Sequence, residues 1–400
     1  MTPRHESLVR VAVSDLLQAV NNHLGHPLSQ EWEQAARTVM RHHYLPERLW
    51  LNTDDGSYAP CDLQQDPERW FAAAYADDAV VTQVNDGAEP EEDDVWPSSS
   101  ASAPSMVFRM LEHLDMAEGM RVLEIGTGTG WNCALLTHRL GGDNVVSVEV
   151  DAQVVADART NLNARGLAPT VVHGDGSDGW PSRKPYDGVI STCSVRHIPS
   201  AWINQTRSGG RIVTAWDNPW ITLGLLTLDV LEGSASGRFH PYGAFMLMRG
   251  QRTDLRIYRD VVRDHHQPTE SRTTLDPDLV AGPDVGAQFA IGAVLRDVWH
   301  AWEDDPGVED VKARLWISNT EATSWAAIDS DGTEGAESYT VWQYGPRRLW
   351  EEIQRAFAWW TEVGSPTPER FGLTVEADGA HHFWLDDPSN ALPGAAGSTP

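Results

Sequence analysis

Cysteine is scarce in this chain of 400 residues. The three present, Cys61, Cys133 and Cys193, lie far apart with no Cys-x-x-Cys pair, so neither a disulfide framework nor a zinc site is suggested, and no metal is expected. Basic residues are also few: 30 Lys and Arg stand against 58 Asp and Glu, a formal net charge of -28. That balance argues against electrostatic capture of nucleic acid or of an anionic membrane. Long apolar runs are missing too. Arg4, His5, Glu6, Arg10 and Asp15 break any signal-peptide pattern, and nothing later is apolar enough to span a membrane, so a cytoplasmic protein is expected. No internal repeat is visible.

What is present is enough apolar residue for real cores, 41% of the chain, and a length that suggests two or three domains. The most informative stretch is Val122-Leu123-Glu124-Ile125-Gly126-Thr127-Gly128-Thr129-Gly130-Trp131. A short apolar strand runs into three glycines at alternate positions, and an apolar segment from about Asn132 follows, which reads as strand, tight turn and helix. Glycine lets backbone approach a ligand where a Cβ would intrude, and the following helix points its free N–H groups at that ligand. The spacing is neither the Gly-x-Gly-x-x-Gly of dinucleotide folds nor a phosphate loop with Gly-Lys-Ser/Thr, so triphosphate binding is not expected.

Three further β-rich runs follow. Asn144–Glu149 ends in an acid about 20 residues past the turn, where a carboxylate can accept both hydroxyls of a ribose. Val171–Gly176 carries Asp175-Gly176 at its end, and Tyr186–Ser191 closes on a serine. In an open parallel sheet ligands sit at the carboxyl ends of strands, which predicts that Glu124, Glu149, Asp175 and Ser191 rim one crevice. The four strand ends together resemble the S-adenosylmethionine-binding half of a class I methyltransferase, an α/β Rossmann-like fold.

Upstream, Ser102-Ala103-Pro104-Ser105-Met106 precedes an apolar helix and the glycine turn. With Arg41-His42-His43-Tyr44-Leu45-Pro46, Ala74-Tyr75-Ala76-Asp77, Gly174-Asp175-Gly176, Gly179-Trp180 and Gly209-Gly210, this order resembles the protein L-isoaspartyl O-methyltransferase family over roughly residues 35 to 215. The resemblance implies S-adenosyl-L-methionine as cofactor. It would be held by Glu124, Gly126, Thr127, Gly128, Thr129, Gly130, Glu149, Asp175 and Gly176. A serine at the Ser102 position would hold the substrate carboxylate. Ser102 can equally be read as the N-cap of a helix beginning near Pro104, and the two roles are compatible.

The remaining chain reads as three flanking parts. Residues 1–100 form a helical N-terminal region, with helices expected over Glu6 to Val20 and Ser29 to Arg41, followed by an acidic, turn-rich run from Glu89 to Asp94. That run reads as a solvated loop, or as a lid over the cofactor. His42 and His43 read as partly exposed helix-end histidines. Residues 101–220 form the methyltransferase core. Residues 221–390 form an α+β extension with strands near Leu315–Ile317, Trp325–Ile328, Tyr339–Tyr344, Phe371–Val375 and His382–Leu385, and a helix from Arg347 to about Glu362. Most of its tryptophans read as core. Residues 391–400 read as a disordered tail.

Ser194-Val195-Arg196-His197-Ile198-Pro199, Gln205–Gly210, Trp359-Trp360 and Phe371–Val375 resemble a narrower group. These are actinobacterial isoaspartyl-methyltransferase homologues that accompany ribosomally made, modified peptides such as graspetides and lanthipeptides. That resemblance implies methylation of an aspartate side chain in a precursor peptide already cyclised by another enzyme, then collapse of the ester to an aspartimide (succinimide). The extension would then recognise the peptide. Arg196 and His197 follow the fourth strand and either meet the substrate at the crevice mouth or form a solvated loop pair. Repair of isoaspartate is the alternative, disfavoured by the long extension and by the Ser-Val-Arg-His segment. A cofactor-binding subunit without catalysis is a third reading. A carboxylate is already ionised at neutral pH, so transfer to it needs placement more than a general base.

Overall fold

The computed structural model describes residues 3–53, 56–89, 95–333 and 335–394. The chain divides into two compact units. The first holds Met1–Ser194, Ile198–Ala215 and Thr227–Ala235; the second holds Val195–His197, Trp216–Leu226 and Ser236–Pro400.

The first unit opens with the two expected helices, α1 (Pro3–Leu24) and α2 (Gln30–Thr38), the latter capped by Ser29, whose side chain accepts from the Trp32 N–H. The helix expected to run to Arg41 stops at Thr38, and Arg41–His43 form a separate 3-10 turn. Strands β1 (Arg48–Asn52) and β2 (Tyr58–Asp62), helix α3 (Pro67–Ala74), and strands β3 (Val80–Val84) and β4 (Pro97–Ala101) follow. The four strands pair antiparallel in the order β2-β1-β3-β4, a sheet the sequence patterning did not predict in a region read as helical. Of the acidic run read as loop or lid, Pro90–Asp94 lie outside the described residues.

Helix α4 (Pro104–Leu114) leads into the alternating part: β5 (Val122–Ile125), α5 (Trp131–Leu140), β6 (Val145–Glu149), α6 (Ala152–Asn163), β7 (Thr170–His173), β8 (Tyr186–Val195), α7 (Ser200–Gln205), β9 (Thr206–Trp216) and β10 (Leu225–Leu231). Within this unit the sheet order is β10-β9-β8-β5-β6-β7, with β5 paired in parallel to both β6 and β8, and β6 to β7. Val122, Leu123, Ile125, Val145, Val146, Val189 and Ile190 are fully buried. A central parallel strand is covered on both faces, which is why β5 reads as a continuous run and not an alternation. Each such side chain contributes about 1.5–3 kcal/mol on burial.

In the second unit, β11 (Ser234–His240), which begins in the first unit, pairs with β17 (Phe371–Val375), and β17 pairs antiparallel with β18 (His381–Leu385). A separate antiparallel sheet has the order β12-β16-β15-β14-β13, built from β12 (Thr269–Thr273), β13 (Val298–Asp304), β14 (Ala313–Asn319), β15 (Trp325–Ser330) and β16 (Tyr339–Tyr344). Period-two alternation sorts its faces. Leu315 and Ile317 pack with Leu349, Trp350 and Ile353 of helix α10 (Leu349–Glu362), whereas Trp316 and Trp325 pack with Ile257 and Val261 on the other side. Helices α8 (Asp278–Ala281) and α9 (Val285–Val294) complete the unit. Trp316, Trp325, Trp350, Trp360 and Trp384 are buried, as core tryptophans should be. The tail read as disordered from residue 391 is ordered at its start: Leu392 is buried and its N–H donates to the Phe383 carbonyl. Residues 395–400 lie outside the described residues.

Candidate active site

The glycine turn sits at the carboxyl end of β5, and its backbone explains its composition. Gly126, Gly128 and Gly130 have φ of 85°, 51° and 92°, all in the left-handed region that side chains other than glycine rarely adopt. At Gly126 sterics add to this, because a Cβ there would lie 2.8 Å from Thr192 Oγ1, the hydroxyl that donates to the Gly126 carbonyl. Gly130 is the N-cap of α5 and no side chain caps that helix, so its first-turn N–H groups keep the partial positive charge that favours an electron-rich ligand atom. Thr129 is held from behind, its carbonyl accepting from Asn161 Nδ2 at 3.1 Å.

Glu149, at the end of β6, is brought against this turn. Its Oε2 accepts from the Gly128 N–H at 3.0 Å and its Oε1 from Val150 and Asp151 N–H at 2.9 and 3.2 Å. Three amide donors fix the carboxylate beside the glycines while leaving it partly exposed with lone pairs free for a diol. The next segment is tied to the same strand end, since the Gly174 N–H donates to the Glu149 carbonyl at 2.9 Å. Asp175 is exposed and accepts from the Ser177 N–H, and the buried Gly176 passes its carbonyl to Trp202 Nε1 at 2.8 Å.

Two residues predicted to rim the crevice do not. Glu124 is fully buried, with Asn132 Nδ2 donating to one oxygen at 2.7 Å and Ser147 Oγ donating to the other. Ser147 in turn bonds Thr127 Oγ1 at 2.6 Å, which leaves Thr127 buried under the turn. Burial pushes the Glu124 carboxyl up to about 7, against the opposing pull of its hydrogen bonds. Its role in this structure is to brace the turn from below, because both of its oxygens are turned into the core and taken by Asn132 and Ser147. Ser191 is likewise fully buried and donates to the Cys193 carbonyl.

Ser102 stands between β4 and α4, and the segment before it crosses the glycine turn: a Cβ placed on Gly128 would lie 3.8 Å from the Ser100 carbonyl oxygen. Ser102 does not cap α4. The N-cap is Ala103, with no side-chain bond, and the Ser105 N–H is taken by Asp77 Oδ1 at 2.8 Å. Among the described residues the Ser102 hydroxyl has no hydrogen bond. Its backbone is pinned by Arg41, a buried guanidinium that sequence reasoning passed over. Nη2 donates to the carbonyls of Asp78, Ala101 and Ser102 at 2.9, 2.9 and 3.1 Å, and Nη1 to those of Ala74 and Ala76 at 3.3 and 3.1 Å. Burial pushes its pKa down to about 10, so it stays charged at neutral pH. The nearby His42 and His43 are half-buried; His42 Nδ1 bonds the Tyr75 hydroxyl, and burial pushes His43 down to about 4.

Arg196 and His197 belong to the second unit. Arg196 Nε bonds Asp217 Oδ1 at 2.5 Å and Nη1 bonds Thr253 Oγ1 at 3.0 Å, so the guanidinium is committed to a buried carboxylate. Gln251 accepts from both backbone N–H groups, and the His197 ring lies 4.0 Å from that of His381. Arg196 is half-buried and held by Asp217, whereas His197 is exposed.

A turn of left-handed glycines, an uncapped helix start, a fixed carboxylate one strand away and parallel β7-β6-β5-β8 pairing define a class I S-adenosylmethionine-dependent methyltransferase fold. Residues 65–218 match the family described as protein-L-isoaspartate(D-aspartate) O-methyltransferase. The protein-L-isoaspartate O-methyltransferase of Pyrococcus horikoshii is 43% identical over 113 residues, 28% of this chain and 51% of that protein. Its namesake from Thermococcus onnurineus is 40% identical over 153 residues, 38% of this chain and 69% of that one. The chain therefore belongs to the protein-L-isoaspartate O-methyltransferase family, and its cofactor is S-adenosyl-L-methionine. It spans about half the length of the Pyrococcus relative. A solved structure titled protein-L-isoaspartate O-methyltransferase, 19% identical, superposes with a TM-score of 0.54 and covers 94% of this chain and 100% of its own. That likeness is one of fold and takes in the C-terminal part of this chain.

The site fits that cofactor. The left-handed Gly126, Gly128 and Gly130 keep the turn bare of side chains at those positions, the ribose-accepting position is occupied by Glu149, and no lysine stands at the turn to serve a triphosphate. Among the described residues, no helix is long and apolar enough to cross a membrane.

Proposed function

We propose that this chain is a carboxyl O-methyltransferase acting on an aspartate side chain of a ribosomal peptide already cyclised by another enzyme, with aspartimide formed from the ester. The observation that carries the transfer is Ser102: its backbone is clamped by Arg41, it stands next to the segment that crosses the glycine turn, and its hydroxyl is uncommitted. The cofactor supplies a methyl group on a cationic sulfur. The chain contributes placement. Ser102 donates to one carboxylate oxygen, leaving the other to form the new C–O bond, and no base is required because the nucleophile is already ionised. Burying the pair away from water strengthens their attraction. The resemblance of Ser194–Pro199 and Phe371–Val375 to the peptide-modifying branch supports the cyclised substrate.

Methylation of isoaspartyl residues, as in repair, is the second reading, favoured by the family match over residues 65–218 and by the Thermococcus onnurineus relative. Both are tested by transfer from cofactor labelled in the methyl group. Label released as methanol by mild base is expected, since esters are base-labile. Label that resists base, or cofactor binding without transfer, rules out carboxyl methylation; the latter outcome describes a non-catalytic subunit.

A further inference from the structure

We propose that the second unit carries a pocket for an acidic residue of the peptide, with Arg355 as its anion contact; this rests on the reading that the chain acts on a peptide. The pocket, of ≈ 640 Å³, lies beside α9 and α10, with Leu295 and Trp359 in an apolar wall and three arginines, Arg296, Arg347 and Arg355, in its lining. Two of them are engaged. Arg347 is bound by Glu352 through Nε at 3.1 Å and Nη2 at 2.5 Å, and by Asp297 through Nη1. Arg296 lies over the Phe383 ring at 5.5 Å and donates to the His381 carbonyl. Arg355 is exposed and, among the described residues, has neither an ion pair nor a hydrogen bond.

Charge makes this place distinctive. The chain carries -28 overall and repels an acidic peptide over most of its surface. Here three arginines stand against three acids, Asp297, Glu321 and Glu352, a local balance of zero in a strongly acidic chain; Asp297 and Glu352 are both held by Arg347, which leaves the Arg355 fork to bind a carboxylate bidentately. Glu321 is the opposing acid in the lining and sets the limit on affinity. A volume in the ligand range with one apolar wall suits an acidic residue next to an apolar one. The recognised class is therefore a peptide with an Asp or Glu beside a large apolar side chain.

The test uses the full chain and fluorescence anisotropy of a short labelled peptide with one Asp-Leu pair in a Gly/Ser background, and its Asn-Leu analogue. The Asp peptide should bind more tightly than the Asn peptide. Arg355→Glu should weaken only the Asp peptide, by about tenfold, the size of one charge-assisted hydrogen bond. Arg355→Gln should fall between. Glu321→Gln should tighten Asp binding, a gain that misfolding cannot produce, and cofactor affinity should stay constant throughout. Equal binding of the two peptides, or an unchanged Asp affinity in Arg355→Glu, overturns the proposal. Asp-dependent binding without base-labile transfer would leave the pocket standing and remove the methylation reading; transfer without Asp-dependent binding would do the reverse.

Discussion

Arg41 Nη2 donates to the Ser102 carbonyl at 3.1 Å, joining two residues 61 positions apart in sequence. The same guanidinium satisfies four further carbonyls, so its removal orphans five acceptors at once, those of Ala74 and Ala101 buried. Arg41→Met should cost about 3 kcal/mol or more in urea unfolding, because bonds to a charged donor contribute about 1.5–3 kcal/mol each and do not add fully. Arg41→Lys should recover part of that loss, having three donors in place of the planar fork. A loss under about 1 kcal/mol in Arg41→Met would mean the clamp does not hold the segment.

Ser102→Ala separates the two roles read from the sequence. Since Asp77 and not Ser102 takes the Ser105 N–H, stability should be unchanged. Methyl transfer should fall about tenfold, the worth of one hydrogen bond to a charged group, with cofactor affinity preserved. Calorimetric binding and single-turnover rates check this; a lowered melting temperature with an unchanged rate would restore the cap reading.

Glu124 predicts a pH dependence. Its folded pKa, about 7, lies above its ordinary value of 4.5, so the folded state binds the proton more tightly than the unfolded state does. Stability from this group is complete below the unfolded pKa and is lost as pH rises to about 7. Glu124→Gln removes the ionisation, so its unfolding free energy relative to the parent should climb between about pH 4.5 and 7 and level off above, by an amount on the order of 3 kcal/mol. A difference that is flat with pH would contradict the burial of a titrating carboxyl.

Arg196 should behave as a structural residue. Arg196→Met leaves the Asp217 carboxylate buried with, among the described residues, only the Thr222 hydroxyl as side-chain partner, and should cost about 3–5 kcal/mol. Replacing both, Arg196→Met with Asp217→Leu, should recover most of it. Loss of transfer at unchanged stability would instead restore the substrate-contact role.

The parts of this molecule that were legible in the sequence are the locally encoded ones. The Val122–Trp131 turn declares itself through glycines whose φ only glycine tolerates, and β14, α10 and β17 through their periodicity. Strand β4 was hidden because Pro97-Ser98-Ser99-Ser100-Ala101 has no apolar alternation and is a strand only by its pairing with β3. Arg41 was hidden because its acceptors lie 33 to 61 residues away and are backbone atoms, which leave no trace in side-chain pattern. Glu124 and Ser191 were misplaced at the rim because the position of a residue near a strand end does not say which face it takes. Arg196 looked available because Asp217, its partner, follows a strand later.

The most direct measurement is intact mass spectrometry of the chain with S-adenosyl-L-methionine and three peptides: a cyclised precursor encoded beside it, the same precursor left linear, and an isoaspartyl peptide. Gain of one methyl followed by loss of methanol, on the cyclised peptide alone, is the predicted result. Transfer confined to the isoaspartyl peptide would contradict it and make the chain a repair enzyme.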